Sequence, residues 1–140
     1  MTVCIDTNVL LQARAYRHRF HCILRACAFG RMEWAVSNSI VTEYLEILGF
    51  FGGPGAVQTL HGLLSVAAAR GSLYHVEPAF QFQVIVNDAD DNKFTDCAIA
   101  AHADYVITED RDFAPLANAG YKPQPITPDE FIARYRGVYV

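Results

Sequence analysis

The sequence predicts an α/β fold in three layers, with helices on both faces of a central parallel sheet. Three observations predict it. Short apolar runs of strand character alternate with longer stretches of helical period. Glycines and capping residues punctuate that alternation. Apolar residues make up 52% of 140 residues, which allows a sizeable core in one domain over 1–140 and excludes a disordered chain.

The first strand is residues 3–5, ending at Asp6. Residues 18–29 read as helix, with Phe20, Ile23, Leu24 and Cys27 at helical spacing and Gly30 as the stop. Residues 33–36 form a second strand. Ser37, Asn38 and Ser39 offer N-caps for a helix over 40–48. Gly49 and the Gly52-Gly53-Pro54-Gly55 cluster break the chain there. A helix over 56–70 follows, closed by Gly71, and then a strand over 73–76. Residues 81–86 fit helix or strand. Residues 91–102 predict a helix, 105–107 a strand and 108–112 a loop. Residues 122–126 hold two prolines and fit a short edge strand. The last helix spans 128–135, with Thr127 as N-cap and Pro128 at its first position.

Composition excludes several function classes. No apolar run approaches the roughly 20 residues of a membrane span. In the N-terminal stretch the basic residues follow the apolar run, the wrong order for a signal peptide, so a cytoplasmic location is expected. Cys4, Cys22, Cys27 and Cys97 form no C-x-x-C pair and read as buried free thiols. The five histidines lack ligand spacing; His18 and His21 remain candidates for substrate contact. A net charge of −4 leaves no overall basic footprint for nucleic acid. The distribution says more. No acid lies between Asp6 and Glu33, a stretch that carries Arg14, Arg17, Arg19, Arg25 and Arg31. Between Asp88 and Phe113, eight of 26 residues are acidic.

In open parallel sheets, sites form beyond the carboxyl ends of the strands. Asp6 ends the first strand, where its alternative role is to cap the following turn. Glu43 lies within the apolar stripe Ile40, Tyr44, Ile47 and Phe51, whereas Glu46 faces away. A Glu on a buried face requires a partner, a proton or a metal. Its alternative is a salt bridge, for instance to an arginine of the first helix. Asp91 opens the helix whose buried stripe is Phe94, Cys97, Ala98 and Ala101, and it points inward. Asp88 and Asp90 are explained by the helix dipole alone. Asp96, about 140° further round the helix, reads as mainly surface. Asp110 follows the strand over 105–107 through Thr108, a residue able to orient a carboxylate. Asp112 reads equally as a site or a turn residue.

Asp6, Glu43, Asp91 and Asp110 thus come from four segments and are predicted at one sheet edge. Four carboxylates together repel unless cations sit among them. Oxygen-only ligands select Mg²⁺ or Mn²⁺. Such a centre suits in-line displacement at phosphorus. No Walker-type loop, G-x-G-x-x-G or G-x-S-x-G accompanies it.

These stretches resemble the PIN-domain family of metal-dependent nucleases, which includes VapC-type toxins. The matching residues are Asp6-Thr7-Asn8 after the first strand, Glu43 in SNSIVTEYLEIL, Asp91 in DADDNKFTDCAIAAHADYVIT, and Asp110 in TEDRDF. The resemblance runs in order over nearly the whole chain and implies a PIN-like, Rossmann-like topology. It implies that Asp6, Glu43, Asp91 and Asp110 are the acidic quartet, with Asn8 and Thr108 in support. Asp96 and Asp112 could take the places of Asp91 and Asp110. It further implies cleavage of single-stranded RNA by metal-activated water, a homodimer, and a cognate antitoxin of a type II toxin–antitoxin pair. Arg14, Arg17 and Arg19, interleaved with Tyr16 and Phe20, are the candidate RNA contacts; a solvated helix face is their other reading. Two further classes stand beside the nuclease. One is a non-catalytic PIN-like module that binds RNA or partners. The other is a phosphatase with Asp6 as nucleophile, which the Asn at position 8 disfavours.

Overall fold

Strand β1 (Thr2–Ile5) is buried along its whole length, as expected of a strand covered on both faces. The structure, a computed structural model, describes residues 1–140. After β1 come α1 (Thr7–Ala13), α2 (His21–Ala28), β2 (Glu33–Val36), α3 (Asn38–Ala69) and β3 (Leu73–His75). The chain then passes through a 3-10 turn at Ala89–Asp91 into α4 (Asn92–Ala100) and β4 (Tyr105–Ile107). A second 3-10 turn, Arg111–Phe113, leads to α5 (Ala114–Asn118), β5 (Gln124–Ile126) and α6 (Pro128–Tyr135). The five strands are parallel, in the order β3-β2-β1-β4-β5, and helices complete three layers.

This order places the site. The chain steps from β1 outward through β2 to β3, then returns to β4 on the other side of β1. The crevice at such a reversal lies beyond the carboxyl ends of the two strands that flank it, here β1 and β4. Their register pairs Val3 with Tyr105 and Ile5 with Ile107, and the Asp6 amide donates to the Ile107 carbonyl at 3.0 Å. Asp6 and Thr108 therefore leave the sheet side by side.

A chain of buried rings supports this edge from below. Trp34, Tyr44, Phe94 and Phe113 follow one another with centroids 6.1, 6.4 and 6.5 Å apart. They join β2, α3, α4 and the turn after β4, each pair worth ~1 kcal/mol beyond its area. The Tyr44 hydroxyl donates to the Ile5 carbonyl, which ties α3 to the end of β1.

Several elements differ from expectation. Residues 7–13 form a helix for which the sequence carries no start signal; Val9, Leu10 and Ala13 bury its inner face. The helices expected over 40–48 and 56–70 are both present and meet at a kink at Gly53, inside the glycine cluster expected to break them, but each runs further toward the kink than expected; the φ of 68° there is one no β-carbon-bearing residue adopts easily. Residues 81–86 take neither regular form. Phe51, expected on the buried stripe, is exposed beside Phe50. Cys4, Cys27 and Cys97 are buried free thiols, and Cys22 is half-buried. No helix is long and apolar enough to cross a membrane.

Candidate metal centre

Asp6 stands at the N-terminus of α1, yet its side chain caps nothing there. Its Oδ2 instead accepts from the Thr108 hydroxyl at 2.7 Å. The carboxylate is only 5% exposed. Burial pushes its pKa up to about 6, helped by the charges of Asp110 and Glu43 and opposed by the Thr108 hydroxyl and the nearby Thr7 amide. Thr108 also accepts from the Asp110 amide at 3.0 Å, so one buried hydroxyl positions both acids. Asp110 Oδ1 in turn accepts from the Asp112 amide at 2.9 Å and opens the 3-10 turn.

Glu43 lies one turn into α3, facing α1 and α4. Its Oε2 accepts from the Thr7 hydroxyl. Its Oε1 pairs with Lys93 Nζ at 2.9 Å, and the same ammonium reaches Asp90 Oδ1 at 3.2 Å. Burial works against the Lys93 ammonium, but the bonds and charges of Glu43 and Asp90 outweigh it and raise its pKa. The partner of this half-buried glutamate is therefore a lysine of α4, where an arginine of the first helix was one expectation.

Asp91 closes the 3-10 turn ahead of α4. Its Oδ2 is buried and has no hydrogen-bond partner. Burial, then the charges of Asp6, Asp88 and Asp110, push its pKa up to about 7, and Asp110 is close enough to share its proton. One carboxylate oxygen each of Asp88, Asp91 and Asp112 lies within 4.8 Å of the others. An orphaned oxygen among this many carboxylates fits a cation, because no basic side chain pairs with it. The donors are all oxygen, which fits a hard divalent ion.

The structure thus draws Asp6, Asp91 and Asp110 into one electrostatic unit, with Glu43 joined to it by charge and Asp112 beside Asp91. Asp88 enters as well, although the dipole argument had set it aside. Its Oδ1 caps the Asp90 amide at 3.1 Å. Asp96 does not join the site, and the expectation of a surface position fails too: it is 7% exposed, and its Oδ1 accepts from the Phe82 amide at 3.0 Å. Residues 94–98 are all buried, because the loop before α4 covers the helix side that a simple wheel assigns to solvent. Asn8 is exposed, with its side chain outside the cluster's hydrogen bonds. Arg19 forms a two-pronged pair with Asp129 at 2.8 Å, Arg14 packs by Gly52, and Arg17 is exposed.

Compared with known proteins, residues 2–112 match a family model described as "PIN domain". The matched span includes every acid of the cluster. No curated protein matches the chain.

Proposed function

The chain belongs to the PIN-domain family, and from that premise we propose that it is a Mg²⁺- or Mn²⁺-dependent endoribonuclease that hydrolyses phosphodiester bonds of single-stranded RNA. The observation that carries the reading is Asp91 Oδ2, buried and unpartnered among carboxylates. In this reading Asp6, Asp91 and Asp110 hold the cation, with Asp88 and Asp112 as neighbouring donors. When bound, the cation supplies Lewis acidity at phosphorus and lowers the pKa of water. Thr108 holds Asp6 and fixes the backbone of Asp110, so two donors keep one geometry. Glu43 has both oxygens engaged and acts on the centre through its charge on Asp6, with Lys93 held beside the acids.

The sequence resemblance supports a finer reading: the toxin of a type II pair, VapC-like and cytoplasmic, restrained by a cognate antitoxin. The exposed Phe50 and Phe51 support a homodimer. The test is a mixed pool of single-stranded RNA incubated with Mn²⁺ or Mg²⁺. Cleavage should vanish in EDTA and fall at least ~100-fold in Asp91→Asn, since a metal contributes several kcal/mol. Cleavage that survives both changes overturns the assignment. Metal-dependent stabilisation without cleavage would leave the centre and remove the substrate.

A further inference from the structure

A cavity lies beside the acid centre, lined in part by Lys93. It encloses about 600 Å³ between the start of α3, the loop from Glu77 to Val86, and α4. That volume lies in the range of small-molecule clefts, ~300–1,000 Å³. Lys93 and Asp90 line it, and they also touch Glu43 or one another, so cavity and metal centre share a wall.

The loop that forms its outer wall is held in shape. Asp96 accepts from the Phe82 amide, while Asn92 Oδ1 accepts from the Ile85 amide at 2.9 Å and Asn92 Nδ2 donates to the Ile85 carbonyl at 3.0 Å. Gln83 takes a φ of 52°, a left-handed conformation unusual for a residue bearing a side chain. Two α4 side chains thus fix a backbone that has no regular structure of its own. What the loop presents is aromatic: Phe80 is 72% and Phe82 46% exposed, with centroids 6.4 Å apart. Neither ring belongs to the core, and Phe80 lines the cavity.

Charge narrows the occupant. Glu77, Asp90 and Asp96 line the cavity against the single ammonium of Lys93, which is already paired. A phosphate is repelled there. A flat, neutral group rich in N–H donors is not. Asp96 spends Oδ1 on the loop and leaves Oδ2 free of protein partners in the cavity wall. A carboxylate accepts from the exocyclic amine of cytosine or adenine, whereas uracil offers two carbonyl acceptors around a single N–H. Aromatic faces stack on any base.

We propose that this cavity is a nucleobase subsite, in which Phe80 stacks an unpaired base and Asp96 Oδ2 accepts from its exocyclic amine, favouring cytosine or adenine over uracil next to the cleaved bond. The subsite rests on the nuclease reading for its place along a strand, but its test needs neither metal nor cleavage.

The test titrates cytidine, adenosine and uridine into the ¹⁵N-labelled full chain in EDTA and follows the amides of Phe82, Gln83 and Ile85. Cytidine and adenosine should shift these amides with dissociation constants in the millimolar range, and uridine about fivefold more weakly or less. Phe80→Ala removes an exposed ring and should weaken all three nucleosides about fivefold or more. Asp96→Asn keeps the acceptor for the Phe82 amide and turns the free oxygen into a donor, so it should shift the preference toward uridine. Absence of shifts at these amides, equal affinity for uridine, or unchanged affinity in Phe80→Ala overturns the subsite. RNA cleavage is scored separately. Base selectivity without cleavage keeps the subsite and sinks the nuclease; cleavage without base selectivity does the reverse.

Discussion

Asp91 is the residue on which the proposed chemistry turns. Without a cation, burial disfavours its ionised carboxylate, and the charges of Asp6, Asp88 and Asp110 add to the cost. Replacing it with Asn removes one charge from that cluster and supplies an amide donor to Asp110. In EDTA at pH 8, Asp91→Asn should therefore be more stable than the unmodified chain by ~1 kcal/mol. The full conversion of the pKa rise does not apply, because Asp91 is partly exposed and screened. Urea denaturation measures this, and a destabilised variant would mean that Asp91 has a partner the structure lacks. Lys93→Met tests the neighbouring pair. It strands Glu43, 19% exposed, beside Asp6, and should cost ~3 kcal/mol by the same measurement. The sequence placed Asp6, Asp91 and Asp110 correctly at the edge because strand ends and helix starts are local signals. It missed Lys93 as the counter-charge of Glu43 because their meeting depends on how α3 crosses α4, which no local pattern encodes. Asp88 was not legible as a site residue because the helix dipole alone explains an acid at that position.

Helix α4 connects the site to the core. Phe94 lies one turn beyond Asp91 and stands between Tyr44 and Phe113 in the buried ring chain. Phe94→Ala should cost ~3–5 kcal/mol, the usual range for a buried phenylalanine, read from the urea midpoint. A loss below ~1 kcal/mol would mean that the rings pack independently. The strands and α6 were legible for good physical reasons. Parallel strands covered on both faces read as apolar runs, and α6 carries a complete capping box between Thr127 and Glu130. Helix α1 was hidden because its apolar residues follow the strand through Asp6 without a turn signal. Helix α5 has five residues, too few for a period to show. The loop before α4 was ambiguous because Asp96 and Asn92 shape it, and their contacts are tertiary.

At the scale of the whole molecule, the acid centre makes the metal-free fold dependent on pH. Asp6 titrates at about 6 and Asp91 at about 7 in the folded chain, against 3.8 for an unperturbed carboxyl. As pH rises from about 4, the unfolded chain releases these protons first. Between about pH 4 and 7 the folded state thus holds more protons than the unfolded one, and stability must fall as pH rises. For buried Asp6 alone the rise corresponds to ~3 kcal/mol, a large share of a small domain's stability. Below pH 4 both states are protonated and the penalty disappears; above pH 7 it is fully present. A cation that binds only the ionised folded state opposes this slope, because it stabilises that state by mass action. Thermal melts in EDTA should show Tm falling from pH 5 to pH 7.5, and millimolar Mn²⁺ should raise Tm at pH 7.5 much more than at pH 5. Equal shifts at both pH values would place the ion away from Asp6 and Asp91. A shift confined to the higher pH would tie the cation to those two carboxylates, the same groups that the proposed hydrolysis requires ionised.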